Sequence, residues 1–484
     1  MQVLSVTSEF FPLIKTGGLA DVAGALPGAL AAEGVAMRTL LPGYPKVMEG
    51  IAEAAPVVEE RDLFGGAARL LAAKAPDGAD LLVLDAPHLY DRPGNPYLGP
   101  DGVDWPDNHV RYAALAWIGA EIGLGMIEGY RPDVVHGHDW QAALTPVYLS
   151  DVAPRPATVL TIHNLAFQGI FPATELTALK LPPASFSVDG VEYWGKISFL
   201  KGGLRYADRL TTVSPTYARE IRTPEAGMGL DGVLRERGDA LIGITNGIDA
   251  EIWNPVDDPN IERPYNSYTL HAKAANKSAL QQRLSLDVDP EALLFCVVSR
   301  LTAQKGFDLL LEALPVLLEH GGQLAMLGSG DPALEVAFAG AVRAHPGRVG
   351  AVFGYDEPLS HQLQAGADAI LIPSRFEPCG LTQLYGLRYG CVPIVARVGG
   401  LADTVIDANQ AALADGVATG FHFAPDDAAE LATALERAFA VYRDKNAWSK
   451  LQRRAMGRKV DWSAPAKAYA DLYRALRPTA RAAA

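Results

Sequence analysis

Cationic side chains and a carboxylate follow apolar runs in the second half of the 484-residue chain, and their types suit the transfer of a group off a phosphate. The run LLFCVVSR ends in Arg300, and Gln304, Lys305 and Gly306 come next, ahead of a helix-like stretch. Arg offers a planar fork and Lys a point charge, and both suit a diphosphate that must leave carrying extra negative charge. Basic side chains just before a helix N-terminus are electrostatically disfavoured without an anion, so this cluster predicts a bound anion. Glu377 stands at another strand exit, followed by Pro378, Cys379, Gly380, Leu381 and Thr382 at the start of a helix. By type it could as easily be a plain helix cap, but its position breaks the tie: the adjacent amides are expected to cradle phosphate while Glu377 faces a sugar or a developing cation.

The pentapeptide GGLAD occurs twice, at Gly17 to Asp21 within KTGGLADV and at Gly399 to Asp403 within RVGGLADTV. Each copy reads as a turn between an apolar run and a helix, where glycines free the backbone to approach a ligand and unpaired N–H groups face an anion. In the first half, His136, His138, Asp139 and Trp140 follow one another, and His163-Asn164 ends the run ATVLTI. Paired histidines and an acid are metal ligands in principle, but no Cys or second HxH supports them. Hydrogen bonds to sugar hydroxyls, with Trp140 as a stacking face, are the better expectation. GSGDPA at Gly328 to Ala333 fits the GxGxxA dinucleotide pattern, and Asp356 lies where a ribose-binding acid would be, which keeps a nicotinamide oxidoreductase as the rival from another class. Tyr355 beside it suits stacking on a nucleobase, or half-buried packing. No GxSxG elbow is present, which disfavours a serine hydrolase.

Short β-rich runs alternate with longer helical ones. QVLSVTSE, VVHGHD, ATVLTIH and RLTTVS read as strands in the first half, with LADVAGALPGALAAEG and HVRYAALAWIGAEIG as helices. In the second half LLFCVVSR, QLAMLGSG, RVGAVFG, DAILIPS and CVPIVAR are strands and FDLLLEALPVLLEHG is the first crossover helix. Strands this uniformly apolar are buried on both faces, as in parallel sheets covered by helices. The expectation is α/β with two doubly wound domains, since 484 residues exceed one hydrophobic core. Boundaries fall at 1–245, 246–460 and 461–484, the last an amphipathic helix with a small-residue tail.

Lys and Arg number 42 against 56 Asp and Glu, a net charge of −14, which makes nucleic acid or an anionic membrane surface an unfavourable partner. Cys296, Cys379 and Cys391 lack CxxC spacing, which argues against a disulfide framework or structural zinc and for a reducing cytoplasm. No targeting segment or 18-residue apolar run is evident.

Seven ordered blocks carry a resemblance over essentially the whole chain: KTGGLADV from Lys15, HGHDWQ from His136, TIHNLAFQG from Thr161, TVSPTYA from Thr212, ITNGID from Ile244, SRLTAQKGFD from Ser299 and PSRFEPCGLTQLYGLRYG from Pro373. The chain resembles the bacterial glycogen synthase and plant starch synthase family. The resemblance implies a GT-B fold: two Rossmann-like domains facing a deep cleft, with the C-terminal helix crossing back to the first. It implies retaining, metal-independent transfer of glucose from ADP-glucose to the non-reducing 4-hydroxyl of an α-1,4-glucan such as glycogen. Carried over by position, Lys15 contacts the donor, with Gly17 and Gly18 lending close backbone approach. Arg300 and Lys305 hold the distal phosphate. Glu377 meets the glucosyl hydroxyls, and the amides of Cys379, Gly380, Leu381 and Thr382 meet glucose and phosphate. His163 binds the 6-hydroxyl, Asp21 and Asp139 line the donor and acceptor site, Tyr355 stacks on adenine, and Asn246 flanks the glucose pocket. The wider retaining pattern has a second glutamate eight positions after the first; here Tyr385 stands there, which puts the usual ribose contact in doubt. UDP-glucose remains the competing donor, and a noncatalytic glucan or nucleotide binder the third alternative.

Overall fold

The computed structural model describes residues 1–476. By its contacts the chain divides into two compact units, Met1–Asn246 together with the segment from Trp462 onward, and Gly247–Asp461.

The second unit is the more regular. Its six strands lie in the order Val349–Phe353, Gln323–Gly330, Leu294–Leu301, Ala369–Ile372, Val392–Ala396, Phe421–Phe423, and every pairing is parallel. Counted along the chain from Leu294, that is 3-2-1-4-5-6, the order of a doubly wound dinucleotide-type fold. Leu294 to Val297 and Ile394 to Ala396 are fully buried, because helices such as Phe307–Glu319, before the strand order reverses, and Glu357–Gly366, which crosses at the reversal, cover the sheet faces. A strand shielded on both sides has no use for polar alternation, which is why these runs read as uninterrupted apolar stretches. The strand order reverses between the first strand and the fourth. In open parallel sheets, ligands bind beyond the carboxyl ends at that reversal.

The first unit carries a nine-stranded sheet ordered Leu241–Gly243, Arg209–Thr212, Ala157–Ile162, Val134–His138, Gln2–Val6, Ala36–Pro42, Asp80–Asp85, Ala68–Lys74, Ala52–Glu60. The first seven are parallel and the last two add antiparallel at one edge. Its reversal lies between Gln2–Val6 and Val134–His138, so the loops after those two strands are where its chemistry should sit. The closing helix Ser463–Leu476 belongs to this unit: Ala466, Tyr469, Ala470 and Tyr473 pack on Val3, Val22, Leu26, Leu30, Val134 and Val159. The tail beyond residue 476 lies outside the described residues. Among the described residues no helix is long and apolar enough to cross a membrane.

One local expectation needs correcting. The first GGLAD copy opens its helix, Gly18–Ala31, but does not follow directly on a strand. The strand ends at Val6 and an excursion from Thr7 to Gly17 intervenes, held by reciprocal backbone hydrogen bonds between Phe10 and Ile14.

Candidate active site

At the reversal of the second unit, the exits of strands one and four meet. Lys305 Nζ donates to Glu377 Oε2 at 2.5 Å, and the Ser374 hydroxyl donates to the same oxygen at 2.8 Å. Glu377 is buried, so its charge has to be met by these donors. It is no helix cap: the helix begins at Thr382 and Leu381 is its cap residue. The two loops are tied together around the pair. Gln304 donates from its amide to the Phe376 carbonyl at 3.1 Å, and the Arg375 N–H donates to the Gln304 carbonyl at 2.9 Å. Arg375 grips both Asp308 oxygens at 2.8 and 2.7 Å and Asp426 at 2.7 Å. Gln304, expected to bind substrate, braces the loop through this side-chain amide. Arg300 differs from its neighbours. Its exposed guanidinium makes no hydrogen bond or ion pair with any described residue, so it is a cation whose counter-charge the protein does not supply.

Two glycines are dictated by these close approaches. Gly306, at φ +65°, lies where a methyl group would stand 2.0 Å from the Pro373 carbonyl oxygen. Gly399, at φ +41°, lies where one would stand 1.9 Å from the Glu377 carbonyl oxygen. The second GGLAD turn is thus pressed against the Glu377 loop, and the Gly400 N–H donates to the Glu377 and Pro378 carbonyls at 3.1 Å each. This overturns its expected use as a free anion cradle: its amide supports the loop that precedes the helix Thr382–Tyr389. Gln383 holds that loop from the other side, donating to the Cys379 and Gly380 carbonyls at 2.9 and 2.8 Å, and Gly380 turns it at φ +71°. The amides of Leu381 and Thr382 then open a helix whose first N–H groups have no intrahelical acceptor.

Tyr385 lies flat against Trp253, centroids 3.7 Å apart, and Trp253 lies flat against His361 at 3.9 Å. The position where the wider pattern has a second glutamate is therefore part of a buried aromatic stack. Tyr355 is 79% exposed and its hydroxyl donates to Glu357. Asp356 is not available to a ribose, since it caps the helix Glu357–Gly366 through the Leu359 N–H and pairs with Arg283. GSGDPA begins within the second strand of its unit, with Gly328 to Gly330 still paired in the sheet, away from the central position a dinucleotide fingerprint needs, and its Gly330 amide donates to Glu335. The nicotinamide reading falls with it.

In the first unit the glycine loop is organised by a residue that sequence reasoning passed over. Glu9, nearly fully buried, accepts from the Thr16 and Gly17 amides, from the Thr16 hydroxyl and from Tyr97, which is 88 residues away. Its place after a strand was a signal; nothing in sequence announces Tyr97. Lys15 pairs with Asp21 at 2.8 Å, both partly exposed. Gly18 begins the helix, and space around Gly17 is open, with nothing within 4 Å of where a methyl group would stand.

After the neighbouring strand, Asp139 adopts φ +53°, a left-handed conformation that Asp tolerates better than most residues. Its Oδ1 accepts from the His163 and Asn164 amides at 2.7 and 3.4 Å, so it ties two strand exits together. Burial pushes its carboxyl up to about 7, those two amides partly offsetting the shift. Burial also drives His136 and His163 well below the usual imidazole range and His138 to about 3, so all three are neutral. His136 spends both nitrogens, on the Tyr473 hydroxyl and on Thr161, which removes it as a metal ligand. Trp140 also departs from expectation. It is 9% exposed and enclosed by Tyr112, Phe171 and Phe199, and Gly169 presses on its ring, so it is a core residue without a free face for a sugar. Asn246 is buried, with its Oδ1 unpaired among the described residues.

Two Rossmann-type units, one joining a basic pair and helix amides at its reversal and the other a glycine loop and buried acid, define a GT-B glycosyltransferase that moves a hexosyl group. The starch synthase catalytic domain family matches residues 2–236 and the group 1 glycosyl transferases match residues 280–455. A glycogen synthase of Rhodopseudomonas palustris (strain BisB18) is 60% identical over 474 residues, covering 98% of this chain and 97% of that protein. One from Acidiphilium cryptum (strain JF-5) is 56% identical, covering 98% and 99%. Among solved structures, the catalytic domain of starch synthase IV from Arabidopsis thaliana, bound to ADP and acarbose, superposes with a TM-score of 0.89 at 31% identity, covering 98% of this chain and 99% of that one. Sucrose-phosphate synthase from Thermosynechococcus elongatus, at 19% identity and a TM-score of 0.59, shares the fold alone. The chain belongs to the glycogen synthase and starch synthase family.

Proposed function

We propose that this glycosyltransferase is a glycogen synthase that transfers glucose from ADP-glucose to the non-reducing 4-hydroxyl of an α-1,4-glucan with retention, without a metal. The Lys305–Glu377 pair at the strand-order reversal, with the unneutralised Arg300 on the same strand exit, carries the reading. Cleavage of the glucosyl–phosphate bond leaves its electron pair on a phosphate oxygen of ADP while positive charge builds on the anomeric carbon. Arg300 and Lys305 meet the growing negative charge, assisted by the amides that open the helix at Leu381 and Thr382. Lys305 exchanges its bond to Glu377 for one to phosphate, which leaves Glu377 Oε2 with Ser374 as donor and with room for a glucosyl hydroxyl to take the place of the lysine. The acceptor 4-hydroxyl attacks the face the phosphate leaves, its proton passing to a phosphate oxygen as the new C–O bond forms, so the configuration is retained.

In the first unit, Lys15 reaches the donor by leaving Asp21, and His163 with Asp139 faces the glucosyl and acceptor hydroxyls. Tyr355, largely exposed to solvent, stacks on the adenine. A cytoplasmic location accords with three buried cysteines that form no disulfide. The test is release of ADP from ADP-glucose on glycogen with EDTA present, beside UDP-glucose. Turnover that requires an added divalent ion, or that prefers UDP-glucose, overturns the corresponding part.

A further inference from the structure

Three imidazoles form a file through the core of the first unit. The rings of His136 and His138 are 4.3 Å apart by centroid and those of His138 and His163 are 5.2 Å apart. His138 is fully buried and its Nδ1 lies 3.0 Å from Nε2 of the half-buried His163. His138 Nε2 is buried and has no hydrogen-bond partner among the described residues. His163 Nδ1 makes no hydrogen bond with any described residue either, but it is not enclosed.

Two neutral imidazoles that share one hydrogen bond have two proton arrangements. In the first, His163 Nε2–H donates to His138 Nδ1, and the proton of His138 sits on Nε2 as a buried donor with no acceptor. In the second, His138 Nδ1–H donates to His163 Nε2, the proton of His163 moves to Nδ1, and only a lone pair is left unused at His138 Nε2. A buried N–H without an acceptor is rarer in folded proteins than an under-used acceptor, and it costs the full desolvation of the donor. The second arrangement wins.

We propose that His138 is a positioning residue that fixes His163 as its Nδ1–H tautomer, so that this imidazole offers a hydrogen-bond donor to a hydroxyl oxygen of the glucosyl unit. The sugar contact rests on the function proposed above; the tautomer does not. A hydroxyl that accepts from His163 must direct its own proton elsewhere, so the tautomer selects one orientation of the sugar's hydrogen-bond network. Which ring nitrogen of a histidine carries the proton is set by the bond its other nitrogen makes, and here that bond comes from a second histidine two residues along the neighbouring strand from His136.

The experiment is two-bond proton–nitrogen correlation on the full-length chain labelled with nitrogen-15 histidine, the His163 signal being assigned by its loss in His163→Gln. Protonated Nδ1 and bare Nε2 on His163 are expected. A proton on His163 Nε2 overturns the proposal. His138→Asn places an amide N–H near the position of the lost Nδ1–H and keeps the tautomer, whereas His138→Leu removes the donor and lets His163 take up the Nε2–H form. A His138→Leu protein whose His163 stays Nδ1-protonated also overturns it; if that variant does not fold, the wild-type and His138→Asn spectra decide. On the proposed function, His138→Leu slows glucosyl transfer by roughly three- to tenfold, the scale of one neutral hydrogen bond, with ADP affinity unchanged and His138→Asn restoring the rate. A switched tautomer with an unchanged rate supports the role of His138 and counts against the sugar contact of His163 alone.

Discussion

The two GGLAD copies should respond oppositely to the same change, glycine to alanine at their first positions. At Gly399 the backbone is at φ +41° and a methyl group would stand 1.9 Å from the Glu377 carbonyl oxygen, where contacts under 3.0 Å are essentially never seen. Relief requires the Glu377 loop to move by at least about 1 Å. The left-handed conformation costs roughly 1 to 2 kcal/mol for a residue with a Cβ and overpacking about 1 to 3 more, so Gly399→Ala should destabilise its unit by roughly 2 to 5 kcal/mol. Misplacing a reacting group by about 1 Å costs on the order of a hundredfold in rate, and Glu377 and the amides beyond it all move. At Gly17 the backbone is extended, at φ −159°, and a methyl group meets nothing within 4 Å. Gly17→Ala should leave stability within about 1 kcal/mol of wild type, and any loss of turnover then reports a ligand that needs that space. Calorimetric unfolding and ADP release, measured side by side, provide the test. A Gly399→Ala enzyme with wild-type melting and turnover would refute the argument, as would a Gly17→Ala enzyme that unfolds early.

Replacing Arg300 or Lys305 by Ala should raise the barrier by roughly 2.7 to 4 kcal/mol, the scale of losing one donor to developing charge, read as slower ADP release by a folded enzyme; unchanged turnover removes that residue from the mechanism. Glu377→Gln should lose most turnover while calorimetry still shows ADP binding, and abolished ADP binding would reassign Glu377 to the nucleotide. Asp139 has a folded-state pKa of about 7, above its unfolded value, so the native state holds the proton more tightly and Asp139 lowers stability increasingly as pH rises from about 4 to 7. The buried histidines act in the opposite sense below their unfolded pKa near 6.5, so the comparison is with Asp139→Asn: the variant should gain in melting temperature over wild type as pH rises through that window, and a pH-independent difference would contradict the burial argument.

Much of the second unit was legible in sequence because its strands are sealed on both faces by helices: a run such as LLFCVVSR has to be apolar throughout, and the residues that follow it have to be where ligands go. Arg300, Lys305 and Glu377 are conspicuous for that reason, as charges at the ends of apolar runs. Misreadings arose where a side chain's partner was remote in the chain. Trp140 looks like a sugar platform until Phe171 and Phe199 close over it. Glu9 acquires meaning only with Tyr97 beside it, and the second GGLAD only with the Glu377 carbonyl pressed against it.

By itself, the order of residues determined the alternation of strand and helix, the doubly wound class and the ends of strands at which charge is concentrated, since periodicity and burial act over a few neighbouring positions. Only the tertiary structure decided which of those charges neutralise each other, which glycines are obligatory and which way a buried imidazole holds its proton. Those depend on distances of 2 to 4 Å between groups tens or hundreds of residues apart, over which hydrogen bonds and steric contact act and local sequence carries no record.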